Sequence, residues 1–343
     1  MYRLFQKIQI GDIGVTGCVS TEITKGVDNF TQSAVIVLPN ILYREKSKAS
    51  FIANEAQNLE ALISRDDVVN IWSGYNKTFD QLPLRFSGFV VRMEVKENIT
   101  IYCEDYGYVL KQINVPSKAF SNATIKTVVE YALQDANITV NYDDETTQVG
   151  DWVIDNNSVI NALQVLEKLE ELGIRIYFNG TTLRIGGLTD KPGETKNFIL
   201  EHNIAEDNLI YREDSEANLV IKGISNLDTN EKIERFAYLK NKVLTIDETG
   251  IPGEQRTLNF YNKTAAQLEQ LLTDNFNKYI YSGYTGTFTT FLEPFVEIDD
   301  NVNFYSFKYP ENDGNYKLRS VVTKVDMSGG FQEIELSQKI VSL

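Results

Sequence analysis

A single histidine, His202, limits the catalytic chemistry that this sequence could perform. It lies in the segment Leu200-Glu201-His202-Asn203, with no cysteine nearby. A histidine-based zinc site or a serine–histidine–aspartate triad would have to draw its partners from distant segments around this one imidazole. We therefore expect His202 to be a surface or half-buried residue without a catalytic role.

The glycine-containing segments do not match the loops that bind phosphates or present a catalytic serine. The sequence contains no Gly-x-Ser-x-Gly elbow, no Walker A loop and no Rossmann fingerprint. The run Ile185-Gly186-Gly187 ends a predicted hairpin and does not open a helix. Nucleotide chemistry is therefore unsupported.

Acidic residues are abundant, as in Asp143-Asp144-Glu145 and Asp299-Asp300. A two-carboxylate glycosidase is an open alternative, because its acids need not be neighbours in sequence. In so acidic a chain, however, most carboxylates are expected to be solvated, and the first run lacks the glycine-centred spacing of a calcium loop. Trp72 and Trp152 could stack on a sugar, but both lie in strand-like segments where packing is expected. We predict no catalytic, cofactor-binding or metal-binding residues and no cofactor.

The net charge of the chain limits which macromolecules and surfaces it could bind. The 343 residues include 33 basic and 48 acidic side chains, a net charge of -15, which repels phosphate backbones and anionic membranes. No apolar run approaches the roughly 20 residues of a membrane helix, and residues 1–10 do not resemble a signal peptide. We expect no stable nucleic-acid binding, no membrane insertion and a cytoplasmic place of assembly.

Cys18 and Cys103 are predicted to be reduced thiols in core strands.

The chain exceeds the size at which one hydrophobic core usually stops growing, so several modules are expected. Residues 2–39 and 68–112 read as strands, with a hairpin formed by Leu84–Val95 and Ile99–Cys103. The apolar residues between 51 and 63 suggest a short helix. A small α/β module is predicted from residue 115 to about 188.

Two helices and a hairpin define this predicted module. The first helix carries its apolar residues at helical spacing: Ile125, Val128, Val129, Ala132 and Leu133. The second runs from Asn156 to Gly173, with Ser158 as its cap and with one apolar stripe made of Ile160, Leu163, Leu166 and Leu169. A hairpin follows over residues 174–186 around the turn Asn179-Gly180.

Strands resume after a linker-like segment at residues 186–197. A further helix, Thr264–Lys278, opens with the capping-box pattern Thr264-Ala265-Ala266-Gln267. The last fifty residues are predicted to be strands, including a hairpin over Lys317–Val325 and a strand over Phe331–Ser337 after Gly329-Gly330.

The two β-rich regions end in similar patterns. Val90–Val95 and Ile99–Ile101 are echoed by Val321–Asp326 and Glu333–Leu336. Hairpins with a two-residue period resemble each other by chance, so chance similarity and a real duplication are both open from the sequence.

The order of these segments resembles the late control gene D family of phage tail baseplate hub proteins. The resemblance covers roughly residues 70–343 and is carried by the following segments: Asn137–Val140, Asp151–Ile154, Ser158–Gly173, Arg175–Phe178, Thr182–Ile185, Ala205–Ile210, Asn218–Gly223, Tyr316–Val325 and Gly329–Phe331. It implies an α+β, mostly β fold with two similar β-barrel domains joined by a small α/β domain and helical insertions. The expected domains are residues 1–114, 115–190 and 191–343, the last with a helical insertion around 264–278.

The resemblance also implies a function. It implies a non-enzymatic, homotrimeric hub of a contractile injection system that contacts the tail tube protein and the central spike protein in the virion. The chain shows no β-helical spike extension and no lysin appendage before Leu343, so a separate spike chain is expected. Two alternatives stay open: a carbohydrate- or receptor-binding tail accessory module, and a tail-associated cell-wall hydrolase.

Overall fold

The computed structural model shows a chain built mainly from β-strands. It describes residues 3–16, 18–27, 29–39, 41–43, 56–58, 62–134, 136–154, 160–170, 174–186, 194–213, 219–227, 231–241, 243–261, 263–279, 282–310 and 313–339. Within these ranges it has 27 strands and four α-helices. The predicted α+β, mostly β class is confirmed.

The N-terminal part forms the first β unit. Its elements are β1 (Leu4–Ile10), β2 (Ile13–Val15), β3 (Ser20–Gly26), β4 (Ser33–Pro39), β5 (Ile41–Tyr43), β6 (Ala56–Asn58), β7 (Val68–Tyr75), β8 (Leu84–Val95), β9 (Asn98–Glu104) and the one-turn helix α1 (Gly107–Leu110). Alternate residues of β4 and β9 are buried, as in Ile36 and Ile101, so these strands place one face in a core. The predicted hairpin of β8 and β9 is present.

The short helix predicted between residues 51 and 63 is wrong in its described part. Residues 56–58 are the strand β6, which pairs antiparallel with β5. The backbone groups of β6 form hydrogen bonds with β5 instead of with each other. The spacing of apolar residues along the sequence does not indicate this partner strand. Residues 51–55 and 59–61 lie outside the described ranges.

The next part of the chain is the α/β module. Its elements are β10 (Asn114–Val115), β11 (Lys118–Thr124), α2 (Ile125–Leu133), β12 (Thr139–Tyr142), β13 (Gln148–Ile154), β14 (Ile160–Asn161), α3 (Ala162–Glu170), β15 (Arg175–Asn179) and β16 (Thr182–Gly186). All five apolar residues predicted for the face of α2 are buried, and so is the stripe of α3. Both helices share one core with β15 and β16.

Two local details of the module differ from the sequence prediction. The helix α3 begins at Ala162, because Ile160 already pairs with Val115 and the Asn161 side chain caps the helix. Asn161 Oδ1 accepts from the Gln164 amide at 2.9 Å, and Gln164 Oε1 accepts from the Asn161 amide at 3.0 Å. The predicted cap Ser158 and stop Gly173 lie outside the described residues.

The hairpin turn of the module is shifted by one residue. Asn179 pairs with Thr182, so the two-residue loop is Gly180-Thr181 rather than Asn179-Gly180. Gly180 has φ +60, which suits glycine at the first loop position of a type II′ turn.

The C-terminal part forms a second β unit that contains an inserted unit. The second β unit consists of β17 (Thr195–Ile199), β18 (Ile204–Asp207), β19 (Ile210–Glu213), β24 (Ser282–Phe291), β25 (Asn301–Tyr305), β26 (Gly314–Asp326) and β27 (Gly329–Lys339). The inserted unit consists of β20 (Leu219–Asn226), β21 (Lys232–Lys240), β22 (Val243–Asp247), β23 (Glu254–Tyr261) and α4 (Ala265–Tyr279). The predicted linker is partly strand, since β17 begins at Thr195, and residues 187–193 are not described.

The insertion between β19 and β24 is larger than the helix predicted around 264–278. Strands β22, β21, β20 and β23 form a separate four-stranded sheet, and α4 packs on it through Leu268, Leu272 and Phe276. A side chain at Gly223 would meet Leu272 at 2.9 Å, so the glycine permits this close approach of helix and sheet. The predicted capping box of Thr264 and Gln267 is present, with distances of 3.0 and 3.3 Å.

One continuous sheet joins the two β units. The long strand β26 pairs antiparallel with β27 on one side and with β3 on the other, from Ser320 opposite Gly26 to Asp326 opposite Ser20. The segment Lys317–Val325 is therefore part of one strand, and the hairpin predicted within it is wrong. Its backbone hydrogen bonds go to two neighbouring strands.

The same order of paired strands occurs in both β units. In the first unit the order is β1-β7-β8-β9-β4-β3, and in the second it is β17-β25-β26-β27-β24, followed by β18 and β19 on β24. Equivalent strands also follow one another in the same order along the chain. All of these pairs are antiparallel except β17 with β25, which is parallel.

Truncation of Leu166 tests the docking of α3. Leu166 is fully buried in the module core, so Leu166→Ala should lower the free energy of unfolding by about 2–5 kcal/mol. The control Lys168→Ala changes an exposed residue of the same helix and should stay within about 0.5 kcal/mol of the unsubstituted protein. Urea unfolding measures both, and an unchanged midpoint for Leu166→Ala would show that α3 is not docked.

Candidate functional site

The candidate catalytic residues do not converge. His202 is exposed in the turn after β17, and its backbone amide donates to the Ile199 carbonyl at 3.0 Å. The Asp144 carboxylate accepts from the Thr146 hydroxyl and amide, and these hydrogen bonds lower the pKa of Asp144. Asp144 thus stabilises its own exposed turn. In the described part of the chain, no group of three or more His, Cys, Asp or Glu side chains could hold a metal ion.

The tryptophans lie in strands, as predicted. Trp72 is half-buried in β7, with the Lys7 ammonium 5.0 Å from its ring centroid. Trp152 packs against the module core, and its indole nitrogen has no hydrogen-bond partner among the described atoms.

Both cysteines are free thiols. Cys103 is buried in β9, and burial raises its pKa to about 12. Cys18 lies before β3 rather than in a strand, and its half-buried thiol donates to Gln6 Oε1. Burial raises the pKa of Cys18 to about 11, so neither thiol is a ready nucleophile at neutral pH.

Side chains from all three units meet at residues 292–300, the connection from β24 to β25, which we call the junction loop. Two basic residues of the first β unit reach it. Lys25 Nζ in β3 lies 2.6 Å from Glu297 Oε2. The Arg85 guanidinium of β8 lies 3.3 Å from the centroid of the Phe295 ring. Burial lowers the pKa of Arg85 to about 10, while Glu293 at 3.8 Å favours the charged form.

The α/β module binds the junction loop through Asp299. The Tyr177 hydroxyl donates to Asp299 Oδ1, and the Asn179 side-chain amide donates to Oδ2 at 2.6 Å. Arg184 Nε lies 4.0 Å from the same carboxylate. Burial first, and Asp299 next, raises the pKa of Tyr177, so the hydroxyl stays a donor. In the sequence, Asp299 is one of many acidic residues, and no local sequence pattern identifies Tyr177, Asn179 or Arg184 as its partners.

The second β unit completes the support of the junction loop. The buried amide of Gln332 in β27 pairs with the backbone of Val296 at 3.2 and 3.3 Å. The Asp300 carboxylate accepts from the amides of Glu194 and Glu297, both at 2.9 Å. The junction loop is thus held by both β units and by the module.

A buried carboxyl lies where the first β unit meets the module. Asp105 is 2% exposed; its Oδ1 accepts from the Gly107 amide at 2.9 Å, and its Oδ2 has no hydrogen-bond partner among the described atoms. Burial raises the pKa of Asp105 to about 7, against the lowering effect of the Gly107 amide. Asp105 is therefore close to its protonation midpoint at neutral pH.

The surface carries an exposed aromatic segment after β25. Phe307 is 75% exposed and Tyr309 52% exposed, although the backbone between them is fixed. The Glu201 carboxylate accepts from the Ser306 hydroxyl at 2.8 Å and from the amides of Phe307 and Lys308 at 3.0 and 3.2 Å. These hydrogen bonds, first that of the Phe307 amide, lower the pKa of Glu201. Exposed aromatic residues on a fixed backbone are suited to protein binding.

No helix in the described ranges has the length and apolar character required to cross a membrane.

Comparison with known proteins finds similarity at the level of structure. No protein-family model and no curated protein matches the sequence. The tail protein from Neisseria meningitidis MC58 has a TM-score of 0.62 and 11% identity, over 98% of this chain and 96% of that one. The 43 kDa tail protein of prophage MuSo2 from Shewanella oneidensis has a TM-score of 0.60 and 13% identity, over 98% of both chains.

A secretion protein has the same fold. A component of the E. coli type VI secretion system, described as similar in structure to the T4 phage tail proteins gp27 and gp5, has a TM-score of 0.60 and 9% identity over 98% of this chain and 77% of that one. At such identities the likeness establishes the fold. The resemblance predicted from the sequence is confirmed at that level.

Removal of the Asp299 carboxylate tests the junction loop. Asp299→Ala leaves the Tyr177 hydroxyl and the Asn179 amide without their acceptor, and should lower the free energy of unfolding by about 2–4 kcal/mol. Hydrogen exchange of β15 and β16 should accelerate. Glu97→Ala, at an exposed hairpin tip, is the control and should change neither quantity. Unchanged exchange in Asp299→Ala would show that Asp299 does not hold the module.

The pH dependence of stability tests Asp105. Its folded-state pKa, about 7, lies above the ordinary value of 3.8, so the folded state retains a proton that the unfolded state has lost. The contribution of Asp105 is therefore complete below pH 4 and is lost as the pH rises to about 7. Asp105→Asn keeps an oxygen for the Gly107 amide and should remove this loss. Urea midpoints between pH 4 and 8 that fall equally in both proteins would contradict the assignment.

Proposed function

We propose that this chain is a non-enzymatic structural subunit of a phage tail or a related contractile injection machine. The observation that carries the proposal is the extent of the shared fold. Two tail proteins, one of them from a prophage, align with 98% of this chain, through both β units, the module and the insertion, and 96% or more of their own length is covered. The chain would then be a virion component, assembled in the cytoplasm of the host bacterium.

Within that machine, the position we propose is the baseplate hub between the tail tube protein and the central spike protein. A hub must join a tube built from six-fold rings to a three-fold spike. A homotrimer with two similar units per chain presents six related surfaces on one side and three-fold symmetry on the other. The repeated order of paired strands in the two β units supports this arrangement.

We also propose a domain division that follows these units. Residues 1–114 form one domain and residues 115–190 the α/β domain. Residues 191–343 form the second β domain, and the insertion at 219–279 has its own core. The two β units are proposed to be β-barrel domains. The ladder between β3 and β26 connects the two proposed β domains through backbone pairing.

Reconstitution with its two proposed partners tests this function. We would express the chain with the tube and spike proteins encoded in the same gene cluster, determine the stoichiometry by native mass spectrometry, and image the complex by electron microscopy. The expected result is three copies of this chain between a six-fold ring and a three-fold spike.

The alternatives predict other outcomes. A receptor-binding module would bind glycans and attach at the periphery of the particle. A cell-wall hydrolase would clear peptidoglycan in a zymogram, and this activity would disappear on substitution of one Asp or Glu. Either result, without binding to tube or spike, would contradict the proposed hub.

A further inference from the structure

The first β unit contributes to the core of the α/β module near residues 105 and 106, the turn between β9 and α1, which we call the Asp105 turn. Leu110 of α1 follows this turn and is fully buried in the module core. Phe30, from the segment between β3 and β4, is buried in the same core. A movement of the Asp105 turn would therefore displace apolar residues of the module core.

Gln32 connects the Asp105 turn to β15 of the module. The Gln32 carbonyl accepts from the Asp105 amide at 3.0 Å, and the Gln32 side-chain amide donates to the Phe178 carbonyl. Gln32 is 4% exposed, so these hydrogen bonds are shielded from water. The Tyr106 ring also packs on Phe178, with 6.2 Å between the ring centroids. The turn and the module thus meet at one residue of β15.

The Asp105 carboxyl has fewer hydrogen bonds than an ionised carboxylate requires. A carboxylate offers about four acceptor sites, yet Oδ1 accepts from the Gly107 amide and Oδ2 has no partner among the described atoms. The surroundings are tightly packed, since a side chain at Gly107 would lie 2.7 Å from Thr31 Oγ1. A buried charge that lacks hydrogen bonds is strongly unfavourable. The packing therefore fits the neutral acid better than the carboxylate.

The charged groups near Asp105 are paired with other residues. Glu104, at the end of β9, lies 2.5 Å from the Lys111 ammonium, and Lys25 of β3 lies 2.6 Å from Glu297. Burial raises the pKa of Asp105 to about 7 against the lowering effect of two backbone amides, with Glu104 raising it and Lys25 lowering it by smaller amounts. Lys25 is thus already engaged with the junction loop when Asp105 ionises.

The helix α1 carries one titratable residue, Tyr108. Its amide donates to the Asp105 carbonyl at 3.0 Å, and its hydroxyl donates to Asp66 Oδ1 at 2.5 Å and accepts from Arg65 Nε at 3.0 Å. The hydrogen bond to Asp66 raises the pKa of Tyr108, and tyrosine ordinarily ionises at about pH 10. Its charge is therefore constant where Asp105 titrates. The contacts from β15 and from the segment before β4 are uncharged.

A second contact holds β15 and does not involve Asp105. Tyr177 and Asn179, on either side of Phe178 in the sequence, donate to the Asp299 carboxylate of the junction loop. The backbone ladder between β3 and β26 is likewise separate from Asp105. Loss of the contact at the Asp105 turn would therefore leave the module attached to the junction loop and the two β units joined.

We propose that Asp105 makes the docking of the module on the first β unit dependent on protonation, and that the module pivots about the Asp299 contact once Asp105 has ionised. In acid, the neutral carboxyl is buried in the closed turn and the module is docked. As the pH rises, the ionised carboxylate stabilises an opened turn in which water reaches both oxygens. This device lies within a single chain and needs no partner protein.

Docking should be strongest in acid and should weaken up to about pH 7. The pKa of Asp105 is about 7 in the closed turn, whereas an opened, solvated carboxyl has the ordinary value of 3.8. Below this lower value both forms are protonated. Between the two values only the opened form releases its proton, so the opening equilibrium rises by up to tenfold per pH unit. Above about pH 7 both forms are ionised and the equilibrium is constant.

Hydrogen exchange resolved to single residues tests the opening. The reporters are the amides of Asp105, Gly107 and Tyr108, which form hydrogen bonds at the turn. Their protection, relative to the intrinsic exchange rate at each pH, should fall at least tenfold between about pH 4 and pH 7 and then stay level. Amides of β3 and β26 should keep their protection.

Spin labels test the pivot. Labels at Lys168→Cys in α3 and Glu97→Cys at the tip of the hairpin of β8 and β9, both exposed, report the distance between the module and the first β unit. This distance distribution should broaden between about pH 5 and pH 8. The distribution between Glu97→Cys and Met327→Cys, at the exposed tip of the hairpin of β26 and β27, should not change.

Two variants assign the effect to Asp105. Asp105→Asn keeps an acceptor for the Gly107 amide but cannot ionise, so protection and label distances should no longer depend on pH. Asp12→Asn makes the same substitution at the exposed tip between β1 and β2 and should leave the pH dependence intact. Carbon-detected NMR of the unsubstituted protein measures the titration midpoint of Asp105 directly, expected at about 7, even if a variant does not fold.

Three results would overturn the inference. A titration midpoint of Asp105 near 3.8 would show that the carboxyl is solvated in the docked protein. An equal loss of protection in β3 and β26 would show that Asp105 reaches water only through global unfolding. A pH dependence that persists in Asp105→Asn would assign the opening to another group.

Discussion

The backbone ladder between β3 and β26 is the interaction on which the rest of this structure depends. It joins the two β units through seven paired positions, between strands that lie about 300 residues apart in the chain. Because β26 also pairs with β27 and β25, most of its length has a hydrogen-bonded strand on each side. These hydrogen bonds fix the register between the two β units. Pairing two strands so distant in the sequence costs the entropy of closing the long chain segment between them. The burial of apolar core residues on both strands, such as Ile23 and Val321, offsets this cost.

The junction loop adds side-chain contacts to this frame. Lys25 and Arg85 reach it from the first β unit, Tyr177 and Asn179 from the module, and Gln332 from β27. These are mostly charge-assisted hydrogen bonds in partly buried surroundings, which are stronger than exposed ion pairs and lose much when one partner is removed.

The two β units repeat one order of paired strands. The proposed function depends on this repeat, because a chain with two related units can present related surfaces twice. The pair of β17 with β25 is parallel, whereas the equivalent pair of β1 with β7 is antiparallel. Glu201, just after β17, accepts hydrogen bonds from the amides of Phe307 and Lys308 after β25.

Features that depend on neighbouring residues could be predicted from the sequence. Helical spacing placed Val128 and Leu166 in the core, the pattern Thr264 to Gln267 began a helix, and alternation marked the hairpin of β8 and β9. The lone His202 and the missing motifs gave no basis in the sequence for predicting a catalytic site. Three features depend on tertiary contacts: β26 pairs with β3, β20 to β23 form a separate sheet, and Asp299 accepts hydrogen bonds from the module. Such contacts form between strands and side chains that are distant in the sequence. The local sequence of an acidic residue or an apolar strand does not indicate which partner it will contact after folding.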